Sequence, residues 1–167
     1  MERTFSMIKP DGVQRRLVGR IVSRFEDKGL RLAGLKLIRM SPKQAETLYS
    51  IHKGRPFYDS LVRFVTSSPV VVMVVEGNQA VSVVRKLLGA TFGFDADPGS
   101  IRGDYGCSKG FNLIHGSDAV ESAERECCPE KENRSRGVKE SQKRGRNFCF
   151  FFCSSRKCIA KKKIREA

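Results

Sequence analysis

The sequence predicts an α+β domain of the ferredoxin-like type, a split βαβ arrangement in which an antiparallel sheet carries helices against one face. Three observations predict it. Short apolar runs of strand character recur near 3–9, 30–40, 69–76 and 112–115. The segments between them place apolar residues at helical spacing. Their order, β-α-β-α-α-β-α-loop-β-α, lacks the strict alternation that a parallel sheet requires.

The elements follow in turn. Arg3 to Lys9 alternates and then turns apolar, a strand with Phe5 and Met7 on one face. Pro10-Asp11-Gly12 ends it, so Lys9 is delivered at a strand end beside a loop. A lysine there is either simply solvated or placed to meet a phosphate as a point charge. Val18, Ile21, Val22 and Phe25 mark an amphipathic helix that Gly29 stops. Leu30 to Met40 alternates again as a second strand. Ser41 caps the next helix, with Pro42 at its first position and Leu48 and Tyr49 along it. After the loop His52–Pro56, a helix from Phe57 carries Leu61, Val62 and Phe64. The run Pro69–Glu76 is almost wholly β-branched, as expected of a central strand buried on both faces. Gly77-Asn78 then turns into a helix from Gln79 to Leu88 that bears Arg85.

Residues 89–111 hold six glycines and Pro98 with little periodicity. They read as a long ordered loop, a feature that in compact domains is usually functional. Asn112-Leu113-Ile114-His115-Gly116-Ser117-Asp118 follows, a short strand that breaks at Gly116 into a capped helix, Ala119 to Glu126. His115 is thereby held at a strand end. Such a ring fits a nucleophile or general base at a cleft, and equally a half-buried histidine satisfied by a backbone carbonyl.

Composition divides the chain near Glu126. Residues 127–167 hold 13 Lys and Arg against 4 Asp and Glu, a net +9, leaving +5 of the total +14 to residues 1–126. Five of the six cysteines also lie beyond 126, and only Cys107 precedes them. The first part reads as one domain and 127–167 as a disordered, basic, cysteine-containing tail. Two origins for the tail stand open: an altered reading frame or unspliced message, and a genuine extension that contacts nucleic acid or signals nuclear import through Lys161-Lys162-Lys163. A zinc site from Cys149, Cys153 and Cys158 fits no usual spacing. No run is long enough to span a bilayer and no secretory signal is read at Met1–Thr4, so a cytoplasmic protein is expected, with a nuclear one as the alternative. A Walker-type glycine loop is absent.

Taken together, RTFSMIKPDGVQR (3–15), RPFY (55–58), SPVVVMVVEG (68–77), PGSIRGDYG (98–106) and NLIHGSD (112–118) resemble the nucleoside diphosphate kinases. The resemblance runs from about residue 2 to residue 126. It implies the same ferredoxin-like fold and a ping-pong transfer of the γ-phosphoryl group from a nucleoside triphosphate such as ATP to a diphosphate. In that likeness His115 matches the phosphorylated histidine, Glu126 the residue that orients its ring, and Ser117 the support of that glutamate. Lys9, Arg85, Thr91 and Arg102 match phosphate contacts, and Tyr49 stands beside the histidine. Phe57 matches the aromatic that stacks on the base, and Asn112 with Lys9 matches the sugar contacts. Mg²⁺ held mainly by phosphates and water is implied, with Asp118 touching it at most through water. Assembly as a hexamer or tetramer is implied too. Taken singly, Arg85 is an exposed helix arginine, Phe57 a core residue and Thr91 a loop hydroxyl.

The chain also departs from the family pattern. Arg16, Phe92-Gly93 and Phe111 replace a glycine, an Asn-Pro or Asp-Pro pair, and an arginine. Beyond Glu126 the family's C-terminal segment is replaced, and Pro129 is expected to stop the last helix and leave Glu126 poorly anchored. These features define the rival expectation, a catalytically weak relative that binds nucleotide or nucleic acid through its basic tail.

Overall fold

In the computed structural model, residues 1–127 are described. The expectations for the tail beyond Cys127 lie outside the described residues. Four strands, β1 (Glu2–Ile8), β2 (Arg31–Ile38), β3 (Val70–Gly77) and β4 (Ile114–Gly116), form one antiparallel sheet in the order β2-β3-β1-β4. This is the predicted class.

Helices cover both faces of the sheet, not one as expected. The period of two along β3 explains why. Val71, Met73 and Val75 pack with Ile21 and Phe25 of α2 (Val18–Asp27) and with Ala80, Val84 and Leu88 of α5 (Ala80–Leu88). Val70 and Val72 point the other way, joining Phe5 and Met7 against α3 (Pro42–Leu48) and α4 (Tyr58–Ser67). A strand apolar on both faces needs a packed layer against each.

Local signals account for the helix ends. Ser41 accepts the Gln44 amide and the Gln44 side chain accepts the Ser41 amide, a full capping box with Pro42 inside it. After α2, Gly29 adopts φ +81°, and the amides of Gly29 and Leu30 donate to the carbonyls of Glu26 and Phe25. That is the Schellman closure expected of a glycine stop.

Four helical stretches were not expected, one of them a 3₁₀ turn at Ser50–His52 that reaches the residue where the loop was read to begin. Pro10–Gln14 forms a one-turn helix, α1, with Pro10 at its start, where the sequence reads as a turn. The long loop contains a 3₁₀ turn at Gly93–Asp95 and the helix α6 (Ile101–Tyr105), capped by Ser100. Segments this short carry no measurable apolar period. The last helix, α7 (Val120–Cys127), runs one residue past the expected boundary, and Cys127 packs against the α3–α4 core. Among the described residues no helix is long and apolar enough to cross a membrane.

Candidate active site

β4 pairs with β1, setting His115 opposite Met7 and binding the Ser6 hydroxyl to the His115 carbonyl at 2.8 Å. The chain reaches this strand through an unusual bend. Leu113 has φ +67°, and the Ile114 amide donates to the Asn112 carbonyl at 2.7 Å. A bond across two residues around a positive-φ centre is a γ-turn of the strained kind, costing about 1–3 kcal/mol. The neighbouring chain holds it there. The Leu113 amide donates to Asp11 Oδ2 at 3.0 Å, and the Leu113 carbonyl accepts the Lys9 amide at 2.8 Å. The Pro10–Gln14 turn therefore clamps the approach to His115, with Leu113 itself fully buried.

His115 Nε2 lies 3.0 Å from Glu126 Oε2, and the Ser117 hydroxyl donates to the same oxygen at 2.8 Å. A carboxylate only accepts, so in the neutral ring the proton sits on Nε2 and Nδ1 keeps its lone pair. Glu126 is 5% exposed and seated inside α7. The expectation that it would be poorly anchored is therefore overturned. Its anchors are Ser117, His115 and the core packing of the helix, all within the described chain.

The ring of Tyr49 stands edge-on to His115, 5.6 Å away at 84°. Its hydroxyl is buried without a hydrogen-bond partner, and burial followed by the Glu126 charge pushes its pKa well up, so it remains a proton donor. Lys9 Nζ donates to Asn112 Oδ1 at 2.7 Å, and Asn112 Nδ2 donates to the Thr91 carbonyl at 3.0 Å. Burial and the nearby Arg102 lower the Lys9 ammonium to about 8. Arg102 is itself brought down to about 10 by burial and by Arg85. Such crowding of cations, buried and lacking a matching set of acids, suits a polyanion.

Lys9, Tyr49, Phe57, Arg85, Thr91, Arg102, Asn112, His115, Asp118 and Glu126 all line one cavity of about 990 Å³. Ser117 does not; it is fully buried behind Glu126. Arg102, expected as a phosphate contact, is also held by the backbone. Its guanidinium donates to the carbonyls of Gly89, Ala90, Asn112 and Ile114, which ties the long loop to β4. Phe57 stands 48% exposed at the start of α4, open to a ligand and not in the core.

Sequence reasoning missed other cavity residues. His52 stacks at 28° on Tyr49 and meets the Phe57 ring at 5.4 Å. Leu61 and Phe64, read as core positions, extend the cavity wall from Phe57 along α4. Helical spacing marks an apolar face without telling a cavity from a core. Lys109 and Phe111 come from the long loop, where no periodic signal exists.

The family model for nucleoside diphosphate kinase matches residues 2–129. The chain belongs to the nucleoside diphosphate kinase family. It is 62% identical over 126 residues to the nucleoside diphosphate kinase of Crocosphaera subtropica, covering 75% of this chain and 85% of that one. With the enzyme of Staphylothermus marinus it shares 54% identity over 125 residues, 75% of this chain and 89% of the other. Among solved structures, the Halobacterium salinarum kinase in complex with CDP matches with a TM-score of 0.73 at 54% identity, over 75% of this chain and 84% of that chain. The Encephalitozoon cuniculi enzyme matches with a TM-score of 0.76 at 47% identity, over 83% and 95% of the two chains. This nucleoside diphosphate kinase family member is thus an enzyme, a nucleotide-binding phosphotransferase.

Proposed function

We propose that the chain moves the γ-phosphoryl group of a nucleoside triphosphate to a nucleoside diphosphate through a phosphohistidine at His115. The observation that carries the proposal is the His115–Glu126–Ser117 chain of contacts at the wall of a cationic cavity. In the first half-reaction the lone pair on Nδ1 attacks the γ-phosphorus. The N–P bond forms as the bond to the bridging β–γ oxygen breaks, and the diphosphate leaves with those electrons. Glu126 accepts from Nε2–H throughout, stabilising the positive character the ring acquires. A terminal oxygen of the acceptor diphosphate then attacks phosphorus, and the N–P electrons return to Nδ1.

Phosphoryl transfer depends mainly on positioning and on spreading charge. Lys9, Arg85 and Arg102 take that work, while Thr91 and the Tyr49 hydroxyl donate to phosphate oxygens. Phe57 stacks on the base, a contact tolerant of base identity. Asn112 with Lys9 holds the sugar.

The residues also fit Mg²⁺ carried by the phosphates. Among the described residues no group of three His, Cys, Asp or Glu could cage a metal. Of the cavity's two carboxylates, Glu126 is already engaged, and Asp118 is held below its usual pKa chiefly by a hydrogen bond from Ser122. Asp118 would hold the ion through water, and the ion would neutralise phosphate charge. We also place residues 1–126 as the catalytic unit and 127–167 as a separate tail. Homo-oligomeric assembly and a cytoplasmic setting belong to the same proposal, carried by the family.

The test is labelling with γ-³²P-ATP of the full chain, His115→Ala and a chain of residues 1–127. Acid-labile label in the full chain and in 1–127, absent from His115→Ala and removed by added diphosphate, is expected. A folded full chain that takes no label would refute the phosphohistidine.

A further inference from the structure

Of the cavity-wall rings without a place in the chemistry above, two are exposed, Phe92 at 39% and Phe111 at 56%. Phe92 already has company. Phe94 stacks on it at 5.8 Å and 9°, and Lys109 Nζ lies 6.0 Å from both centroids. Phe111 is held differently. Its ring meets Phe64 at 75° with centroids 5.0 Å apart, a T-shaped contact that steadies the ring and leaves aromatic surface facing outward.

Two further placements matter. Phe64 lies three residues beyond Leu61 and seven beyond Phe57, so these residues share one face of α4, and all three line the cavity. Phe111 therefore extends the apolar wall that Phe57 begins. It also directly precedes Asn112, whose amide group joins Lys9 to Thr91. A ligand with its phosphates among Lys9, Arg85 and His115 and its base toward Phe57 brings that base into the part of the cavity bounded by Phe111.

We propose that Phe111 is a second base contact, sharing with Phe57 the base-dependent part of nucleotide affinity. The inference rests on the nucleotide reading given above. Stacking on an aromatic ring is tolerant of base identity, so Phe111 adds affinity for nucleosides in general and not selectivity among them.

Calorimetric titration of the full chain with ADP and with pyrophosphate separates the contributions, using wild type, Phe57→Ala, Phe111→Ala and Phe111→Tyr. Phe111→Ala is expected to weaken ADP about tenfold and to leave pyrophosphate within about twofold, with Phe111→Tyr close to wild type. Unchanged ADP binding in Phe111→Ala overturns the proposal. So does an equal loss for ADP and pyrophosphate, which would mark a disturbed loop. A wild type that binds pyrophosphate as tightly as ADP, with Phe57→Ala also silent, removes the base site itself and the nucleotide reading with it.

Discussion

At the scale of single residues, the site combines a well-satisfied triad with an ill-satisfied cation. Ser117 and His115 both serve Glu126 Oε2. Removing the serine leaves that carboxylate one donor short, and hydrogen bonds to charged groups are worth about 1.5–3 kcal/mol. Ser117→Ala should therefore lower the rate of phosphoenzyme formation at least tenfold, read by single-turnover labelling, without loss of the fold. Lys9 is the opposite case. Its folded pKa of about 8 lies below the ordinary 10.5, so between these values the unfolded chain binds more protons and stability rises with pH. Below about pH 8 the whole penalty stands, about 3 kcal/mol. Lys9→Met removes it but orphans Asn112 Oδ1, which costs about 1–2 kcal/mol. The expected outcome at pH 7 is a variant stabilised by about 1–2 kcal/mol in urea and at least a hundredfold less active. The stability gain should shrink between pH 8 and 10.5. A lower urea midpoint at pH 7 would mean that the buried ammonium carries no such penalty. In wild type, kcat/KM should fall as pH rises through about 8, where the ammonium loses its charge.

At the scale of elements, the strained Leu113 turn shows how one short helix positions the proposed nucleophile on another element. Asp11 Oδ2 is the acceptor that holds the Leu113 amide, and Asp11 lies in α1, which the sequence presents only as Pro-Asp-Gly. Asp11→Ala should cost about 1–3 kcal/mol in denaturant unfolding and slow labelling of His115 as well. A variant that unfolds earlier yet labels at the wild-type rate would separate the clamp from the chemistry. The long loop is held by close backbone contact. A Cβ at Gly93 would run into the backbone of Gly106, and one at Gly103 into that of Asp97. Gly93→Ala should destabilise the fold measurably and displace Thr91 and Phe92 from the cavity. The six glycines of 89–111 were visible in the sequence. What Gly89 and Gly93 do was not, because they make room for Ser100 and for the backbone of Gly106, which lie further along the loop.

At the scale of the whole molecule, the edge strand β2 remains partly uncovered. Leu35 and Leu37 pair with Met73 and Val71, on the α2–α5 face, yet are 45% and 59% exposed. Two exposed leucines on an edge strand are a liability that a second copy of the chain would relieve. The proposed homo-oligomer should therefore dissociate in Leu37→Lys, seen as a fall in mass by sedimentation equilibrium, while histidine labelling persists. A wild-type chain that sediments as a monomer would refute the assembly.

The sequence by itself determined the sheet class, the helix caps at Ser41 and Gly29, and the family. These rest on periodicity, on residue-specific backbone preferences and on strings that stay together in the chain. It also marked the residues that gather in the cavity, because the resemblance carried them in register. Only the tertiary structure decided that helices cover both faces, that Arg102 is also held by backbone carbonyls, that Glu126 is firmly anchored, and that His52, Leu61, Phe64 and Phe111 share the cavity wall. Each of these depends on which distant segment stands opposite a residue. Local pattern records a residue's preference for burial or for a turn; the partner that meets it is set by the packing of the sheet, the helices and the long loop against one another.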